Sequence, residues 1–542
     1  MKINKRLIVL SLIILLAIFF RFYNLVGIPP SPTVDEASIG WNAYSILKTG
    51  ADEYGTRFPV LLRAYDDWRP AVYVYMVIPF ISLFGLNEVS IRLPSVILSV
   101  LSVIAVYFLT KYLTKGASVI IPLIATFLFA ISPWHIYLSR LGHEVNASSL
   151  FLILGLLFFF RFMEKKRWNL LFSALFFGLS FDSYQSTKII VPFLVITLLV
   201  LFYKQLIKEK FIVLFSALVG FLVIAPILIS SIDGNALIRF KGTSLLGNSP
   251  AYFERVFERS LVDRQNNDIF GLIYDNRKAA SVLLISNAYL SHFDPTWLFL
   301  NKGEEPFKAP AMGLLYLFEL PLILISLMFL RSSGIHKKNI ALITVLGLIG
   351  ILPASITTGY PHAMRVYTLL PIPQILAAIG FISIFSFIRN KKFQHLFLSS
   401  SLVIVIFSVL WFFHSYFTLL PKELGSHFQY GVINALAYAD TIDEKYDKVV
   451  VSNKEKLFES YMFYLYLNKY DPSSYQKKGG TISGGFEEEH SIDNYTFGDI
   501  KDKIDRNRLY IINPEEKTPK MRVVKEIKYP NGELALIIAE IL

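Results

Sequence analysis

The sequence predicts a polytopic α-helical membrane protein with about eleven transmembrane helices, amphipathic external helices and a small C-terminal α/β domain. Three observations predict this class. Of the 542 residues, 54% are hydrophobic and only 17% are charged, which is too apolar for an ordinary soluble enzyme. Apolar runs of about 20 residues recur along positions 1–418. Beyond them, the composition becomes that of a soluble domain.

Charge and cysteine content exclude several other classes. The formal net charge is +12, and in a membrane protein this excess belongs to the cytoplasmic loops rather than to nucleic-acid binding. The absence of Cys excludes disulfides and thiolate metal sites. The first apolar run, 7–25, is followed by IPPSPTVDEA, a poor cleavage site, so we expect a retained membrane helix.

Eleven apolar segments are candidate membrane spans. They lie at about 7–25, 92–111, 117–135, 147–163, 168–182, 188–204, 211–231, 311–330, 339–358, 366–388 and 395–417.

A further apolar segment, 71–85, is short and contains Pro79. If it does not cross, the loops KYLTKG, EKKRWN, YKQLIKEK, RSSGIHKKN and RNKK all lie on the side of the N-terminal MKINKR, and all are basic. Since cytoplasmic loops are basic, we expect 71–85 to be an interfacial or re-entrant helix. The N-terminus is then cytoplasmic, the C-terminal domain extracytoplasmic, and the membrane the plasma membrane.

This orientation defines the external segments. The first external loop (26–91) is expected to hold a helix at 36–48, with Asp35 as its N-cap, Glu36 in its first turn and Gly50 at its end. A large external loop covers 232–310.

The C-terminal segment has the pattern of a soluble α/β domain. YDKVVVSN and NRLYIIN are typical of strands, and ESYMFYLYLNK is typical of a helix. The stretch VVKEIKYPNGELALIIAEI predicts a hairpin with Asn-Gly at the turn. We therefore divide the chain into a transmembrane domain, 1–418, and an extracytoplasmic domain, 419–542.

The predicted external face collects ionisable side chains near the ends of the spans. Charges at bilayer depth are costly unless they pair or line a cavity, so such a cluster indicates function. Its main members are Asp35, Glu36, Asp66, Asp67, Arg69, Arg92, Arg140, His143, Glu144, Asp182, Tyr184, Lys188, His292, Asp294, His362 and Arg365.

Each candidate also has a purely structural interpretation. Asp35 fits a helix cap, and Arg92 is placed to extend its side chain to the lipid headgroups. Arg140 and Glu144 are four residues apart, as in a helical ion pair.

The later candidates have structural interpretations too. Lys188 and Arg365 each begin a span, where anchoring to lipid phosphate is common. His292 and His362 fit structural hydrogen bonding. A metal site formed with Asp294 lacks any spacing typical of metal ligands.

Taken together, the external residues match one kind of chemistry. An acidic group with several cations suits a substrate that has a phosphate head and a lipid tail, because cations stabilise a leaving phosphate and a carboxylate can take a proton from a hydroxyl. No Gly-rich nucleotide loop is visible in the sequence. The substrate would therefore be carried on a lipid.

Several stretches resemble one family of membrane enzymes. TVDEASIGWNAYSILKTGADEYG and DDWRPAVYVYMVIPFISLFGLNEVSIRLPS resemble the first external loop of the GT-C membrane glycosyltransferases, and SPWHIYLSRLGHEVNASSLFL resembles the second. SHFDPTWLFLNKG and YPHAMRVYTLLPIPQILAAIG resemble later elements of bacterial members. The resemblance covers 7–418 and is to the protein O-mannosyltransferase and aminoarabinose transferase group, glycosyltransferase family 39 and its bacterial relatives.

The resemblance implies roles for the residues that match the family motifs. Asp35 is expected to be the general base, with Glu36 beside it, and Arg69 to bind the lipid phosphate. Arg140 and Glu144 fall on the second-loop pair, although the family often has Asp in place of Glu144.

The remaining site residues are predicted from their positions. Lys188, Arg365 and His362 are expected, with Arg140, to bind the donor. Tyr184, Arg92 and His292 are expected, with Glu144, to support the site or the acceptor.

The implied function is an inverting transfer of a sugar from a polyprenyl-phosphate donor to a hydroxyl of a protein, glycolipid or cell-envelope glycan. Membrane lipids and the acceptor are the expected partners, without nucleic acid. No cofactor is expected to be required, and no residue pattern indicates a divalent cation, although one is compatible with the site. Two other classes stay open, a transporter or flippase for a lipid-linked or polar solute and a non-catalytic membrane scaffold. Against the transporter, the charges favour one face and no duplicated half is seen.

Overall fold

A computed structural model describes residues 5–65, 67–231, 242–302, 305–485, 488–500 and 505–541, so Asp66 lies outside the described residues. The chain forms two compact units. The first unit holds the chain up to Ile18, Val100–Ile136 and Ala147–Val409. The second holds Phe19–Ser99, Tyr137–Asn146 and the chain from Leu410 onward. The predicted boundary between 418 and 419 stays a prediction.

Up to residue 423 the regular secondary structure of the described chain is helical, apart from one short hairpin. In chain order its elements are α1 (Lys5–Phe22), α2 (Val34–Thr49), β1 (Leu61–Ala64), β2 (Asp67–Pro70), α3 (Val72–Phe84), α4 (Glu88–Leu113), α5 (Ile121–Ile131), α6 (Pro133–Ser139), α7 (Val145–Met163), α8 (Asn169–Phe181), α9 (Thr187–Lys208), α10 (Lys210–Ser230), α11 (Pro250–Gln265), α12 (Ile269–Tyr274), α13 (Arg277–Ser291), α14 (Pro295–Phe299), α15 (Glu319–Phe329), α16 (Lys337–Ile349), α17 (Leu352–Ser355), α18 (Ile372–Phe387), α19 (Lys391–His414) and α20 (Leu420–Glu423).

Seven helices among the described residues are long and apolar enough to cross a membrane, or eight if the pair α5 and α6, bent by 54°, forms one span. This confirms a multi-pass helical protein, whereas the count of eleven spans stays a prediction. At the predicted spans 168–182 and 311–330 the helices are shorter, Asn169–Phe181 and Glu319–Phe329. In the second case, Pro310 and Gly313 lie in non-helical chain.

Helix α3 is the apolar segment that the charge pattern predicted not to cross. It has 13 residues and contains Pro79. At 1.5 Å per residue it extends about 20 Å, less than the roughly 30 Å of a hydrocarbon core. This length agrees with an interfacial or re-entrant helix.

Helix α2 confirms the predicted first-loop helix but begins differently. Thr33 is its N-cap and forms a capping box with Glu36, while Gly50 ends it with a φ of 73°. The prediction that Asp35 is the N-cap is therefore wrong. The Thr33 hydroxyl accepts the Glu36 N–H at 3.1 Å, and Asp35 lies one residue inside the helix, in its first turn.

In the second unit, the chain beyond residue 423 forms a six-stranded sheet with helices. The helices are α21 (Tyr430–Ala439), α22 (Ser460–Leu467) and α23 (Pro472–Lys477), and the strands are β3 (Lys448–Val451), β4 (His490–Ile492), β5 (Tyr495–Phe497), β6 (Arg508–Ile512), β7 (Met521–Lys528) and β8 (Leu534–Ile541).

The strand order is β4-β5-β3-β6-β8-β7. Strand β3 pairs in parallel with β5 and β6, and the other pairs are antiparallel. The predicted strands in YDKVVVSN and NRLYIIN, the helix in ESYMFYLYLNK and the C-terminal hairpin are all confirmed. Gly532, with a φ of 90°, supplies the left-handed residue that this tight turn requires.

In the first unit, helices α15 and α18 approach each other closely at Gly380. A Cβ atom on Gly380 would lie only 1.9 Å from the carbonyl oxygen of Leu322. Small residues permit such backbone contact between membrane helices, where packing replaces the hydrophobic effect as the driving force.

We predict that Gly380→Ala forces these helices apart and destabilises the protein by about 1–3 kcal/mol, as expected for overpacking. Gly347→Ala is the matched control, because its Cβ would meet one side-chain atom at 3.8 Å. Thermal unfolding of the purified protein in detergent would measure both. Equal midpoints for the two variants would contradict the close approach.

Candidate active site

Asp35 lies in the first turn of α2 and faces an arginine from the neighbouring hairpin. Its carboxylate accepts a hydrogen bond from Arg69 Nη2 at 2.7 Å, and the exposed fractions of the two side chains are 50% and 7%. Antiparallel pairing of β1 and β2 places Arg69 opposite Leu62. The pair therefore combines an accessible carboxylate with a largely buried cation.

Arg69 has hydrogen-bonding capacity left over. Its Nη1 is buried and has no hydrogen-bond partner among the described residues. Burial disfavours the charged guanidinium, but the carboxylates of Asp35 and Glu144 outweigh this and hold the pKa of Arg69 above its usual range. An unpaired buried donor is costly, which makes Nη1 a candidate contact for an anionic or hydroxyl oxygen.

The second-loop residues His143 and Glu144 complete this cluster. His143 Nε2 lies 3.9 Å from the Asp35 carboxylate, and the Val145 N–H donates to His143 Nδ1 at 3.2 Å. The His143 ring therefore lies between two carboxylates, because its Nδ1 is also 3.4 Å from Glu144 Oε2. Glu144 is buried, and apart from this contact its Oε2 has no hydrogen bond within the described chain.

Glu36 differs from its neighbour Asp35 because it is fully engaged. Arg92 Nε and Nη2 donate to its two oxygens at 2.8 and 3.2 Å. The backbone N–H of Thr33 adds a bond at 2.9 Å, and that of Gly142 another at 2.8 Å. Both Glu36 and Arg92 are buried. This carboxylate therefore holds α2, α4 and the second loop together.

Arg92 does not extend its side chain to the lipid headgroups. Besides Glu36, it donates to the backbone carbonyls of Leu25, Pro29 and Ser31 at 2.9 to 3.1 Å. The headgroup interpretation is wrong because all of these acceptors lie inside the protein.

The guanidinium of Arg140 also forms its hydrogen bonds with backbone carbonyls. Its Nη atoms donate at 2.8 to 3.0 Å to carbonyls at and after the end of α1, those of Phe20, Arg21, Asn24 and Ile28. Helix α6 ends at Ser139, so Arg140 and Glu144 do not share a helix and the predicted helical ion pair is wrong. These contacts leave little of the guanidinium for a donor phosphate.

A second polar site lies in the first unit. Tyr184, Lys188 and Arg365 line one cavity of about 320 Å³ together with Thr357. Arg365 Nη1 donates to the Thr357 hydroxyl at 2.8 Å and to the carbonyl of Thr358. Two cations in one cavity create a site suited to an anion.

An apolar cavity of about 590 Å³ adjoins the polar one. It is formed by side chains of α8, α9 and α10, and Phe181 lines both cavities. A polar cavity with two cations therefore lies next to an apolar one, an arrangement that suits a phosphate with a hydrocarbon tail.

His292 and His362 form a structural contact. The His362 N–H donates to His292 Nε2 at 3.2 Å, and His292 Nδ1 lies 2.7 Å from the Ala288 carbonyl. Burial lowers the pKa of His292 to about 4, so the ring is neutral. Both of its nitrogens are engaged.

The Asp294 carboxylate accepts hydrogen bonds from the Thr296 N–H and from Lys302 Nζ. The open alternative of a metal site made from His292, Asp294 and His362 has no support in this geometry. Within the described residues, no group of three or more His, Asp or Glu side chains is placed to hold a metal ion.

Comparison with known proteins identifies the fold. A family model described as Dolichyl-phosphate-mannose-protein mannosyltransferase matches residues 68–229, while no curated protein matches the sequence. The structure of ArnT from Cupriavidus metallidurans bound to undecaprenyl phosphate is similar at a TM-score of 0.54 and 10% identity, covering 99% of this chain and 97% of ArnT. This chain has the fold of the GT-C membrane glycosyltransferases. The predicted resemblance is thereby confirmed.

A second GT-C structure supports the same fold. The archaeal oligosaccharyltransferase AglB from Archaeoglobus fulgidus, in complex with an inhibitory peptide and a dolichol-phosphate, has a TM-score of 0.51 and 13% identity. The match covers 90% of this chain but only 61% of AglB. At such low identities, the GT-C likeness establishes the fold, and the roles of individual residues stay predictions.

Sequence reasoning gave no role to His143, which the structure places beside Asp35. The available signal was the pair His143-Glu144 next to a predicted span end. That signal indicates the loop, but it does not predict that the His143 ring lies close to the Asp35 carboxylate, more than a hundred positions earlier in the chain.

We predict that Arg92→Met costs about 3–5 kcal/mol of stability, because it leaves Glu36 as an uncompensated buried charge. Thermal unfolding in detergent would measure the loss. Arg508→Met is the control, since its partner Asp505 is 62% exposed and such surface pairs contribute about 1 kcal/mol or less. Similar losses for both variants would contradict a structural role for the Glu36–Arg92 pair.

Proposed function

We propose that this protein is a membrane glycosyltransferase that moves a sugar from a polyprenyl-phosphate donor to a hydroxyl acceptor. The GT-C fold and the mannosyltransferase family match support the class of enzyme. ArnT was determined with undecaprenyl phosphate and AglB with a dolichol-phosphate, which supports a lipid-linked donor here. The paired Asp35 and Arg69 are the observation that carries the proposal.

Asp35 is the proposed general base. Its carboxylate is half exposed, so an acceptor hydroxyl can reach it, whereas the neighbouring Glu36 is enclosed by its own partners. Arg69 stabilises the negative charge of Asp35 and fixes its orientation. Of the two adjacent carboxylates, Asp35 is therefore the one placed for proton transfer.

The proposed reaction is a single displacement. The acceptor oxygen attacks the anomeric carbon while its proton passes to the Asp35 carboxylate. The bond from the anomeric carbon to the phosphate oxygen breaks, and polyprenyl phosphate leaves with the electron pair. Attack from the face opposite the phosphate inverts the anomeric carbon. A phosphate is a good leaving group once cations neutralise its charge, so we propose no separate acid and no cofactor.

Lys188 and Arg365 are the proposed ligands of the lipid phosphate, because they share one cavity. The adjoining apolar cavity is the proposed site for the first isoprenoid units. Tyr184, in the same lining, is placed to donate a hydrogen bond to a phosphate oxygen. His362 and Arg140 keep their predicted donor-binding role as proposals, and His292 and Glu144 keep their predicted supporting role. Their contacts support these proposals more weakly.

We propose that the site faces the exterior of the plasma membrane. The basic loops KYLTKG, EKKRWN and YKQLIKEK support a cytoplasmic N-terminus. The C-terminal α/β domain is then extracytoplasmic, where an acceptor protein or glycan is available.

We predict that Asp35→Asn reduces sugar transfer by about 10²–10⁴-fold, the usual contribution of a general base. Purified protein would be assayed with a panel of polyprenyl-phosphate sugars. Asp67→Asn is the control, because this neighbouring carboxylate accepts its hydrogen bond from the adjacent backbone. A folded Asp35→Asn protein with near-normal transfer would contradict the proposal.

We predict that undecaprenyl phosphate raises the unfolding temperature of the protein, and that Lys188→Ala or Arg365→Ala weakens its apparent affinity by about tenfold, as loss of a charge-assisted contact implies. Lys204→Ala is the control, since this exposed lysine lies on the same helix α9. Equal stabilisation of all three variants would place the phosphate elsewhere.

A further inference from the structure

Glu53 is a buried carboxylate that the proposed mechanism does not use. Asn42 Nδ2 donates to its Oε1 at 3.0 Å. The hydroxyls of Tyr461 and Thr481 donate to its Oε2 at 3.1 and 2.9 Å. Glu53 therefore joins α2, which carries Asp35, to two separate points of the C-terminal half of the second unit.

The C-terminal residues 476–485, which we call the C-terminal strap, lie directly against the first loop. The Gln476 side-chain amide donates to the Asp52 carbonyl at 2.9 Å, and the Thr481 N–H donates to the Glu53 carbonyl at 3.4 Å. At Gly484, with a φ of 69°, a Cβ atom would lie 2.6 Å from the carbonyl oxygen of Tyr65. Only glycine permits so close a backbone approach at this φ.

The same strap also contacts the hairpin that carries Arg69. Arg63 on β1 donates to the carbonyl of Ile482 at 3.2 Å and to that of Ser483. Its neighbour Leu62 is the register partner of Arg69 on β2. Two hydrogen bonds therefore join the strap to the strand pair that carries the guanidinium.

The turn of the hairpin is tied to the start of α2. The Tyr65 hydroxyl donates to the carbonyl of Val34 at 3.0 Å, and Val34 precedes Asp35. At the other end, Asn42 lies seven residues after Asp35 on α2, which is two turns along the same face. The strap thus holds the helix through Glu53 and the hairpin through Arg63.

We propose that the C-terminal strap positions Asp35 against Arg69, with Glu53 as its contact on the side of α2. The inference rests on the proposed function, because it assigns the strap to that same pair. Glu53 and Gly484 are positioning residues, since neither contacts the Asp35 carboxylate in the structure. Helix and hairpin are separate elements, and the strap contacts both, so it can stabilise the 2.7 Å separation of the pair.

The test uses the full-length protein and two glycine variants. Gly484→Ala inserts a Cβ between the strap and the first-loop residues Tyr54 and Tyr65. Gly532→Ala, in the turn between β7 and β8, adds the same left-handed strain with no atom within 4 Å. Amide hydrogen exchange of residues 61–65 and 67–69 is expected to become about tenfold faster in Gly484→Ala through local opening. It should stay unchanged in Gly532→Ala.

Variants of Glu53 provide an independent check. Burial raises the pKa of Glu53 to about 7, so the neutral amide of Gln is a close substitute for its protonated form. Over residues 61–65 and 67–69, amide exchange in Glu53→Gln is expected to match that of the wild type. Exchange in Glu53→Ala is expected to match that of Gly484→Ala. Equal exchange in all variants would overturn the proposal. If Gly484→Ala does not fold, wild-type exchange in Glu53→Ala would still overturn it.

Kinetics separate positioning from general stability. We predict that Gly484→Ala and Glu53→Ala lower kcat by about tenfold with the KM for the donor unchanged, because the Asp35–Arg69 pair is displaced while the lipid-phosphate cavity is intact. Faster exchange with a normal kcat would overturn the positioning role alone. A wild-type protein that transfers no sugar from any polyprenyl-phosphate donor would overturn the proposed function and this role together.

Discussion

The buried contact between Glu36 and Arg92 is the constraint on which the rest of the site depends. It satisfies both charges and also collects backbone groups from the chain before α2 and from the second loop. A buried charge pair gains little over apolar packing unless all of its hydrogen-bonding groups are met. Here the hydrogen-bonding groups of the pair are satisfied by partners from separate stretches of chain. The pair therefore fixes the arrangement of those stretches, including the N-terminus of α2.

That arrangement gives two adjacent carboxylates opposite environments. Glu36 is enclosed by donors, while Asp35, one position earlier on the helix, points to a half-exposed place beside Arg69 and His143. A helix separates neighbouring residues by about 100°, so consecutive side chains cannot share one environment. One carboxylate holds the structure and the other is left accessible.

The sequence alone located the loops but ranked their residues imperfectly. The first-loop helix, its glycine end, the short apolar helix over Val72–Phe84 and the C-terminal hairpin follow from local patterns and are found in the structure. The helix cap was misplaced by two residues because Asp, Ser and Thr are all good caps. Only the reciprocal contact of Thr33 with Glu36 distinguishes among them.

What the sequence by itself determined is the membrane class, the GT-C resemblance and the loop that carries Asp35, because hydrophobic length, helix period and turn residues are properties of short stretches. What only the tertiary structure decided is which charges are accessible. Arg69 and Arg92 look alike in the sequence, yet one keeps an unpartnered donor among the described residues and the other is surrounded by carbonyls. The difference comes from partners distant along the chain, and burial by such partners leaves no local trace in composition or spacing.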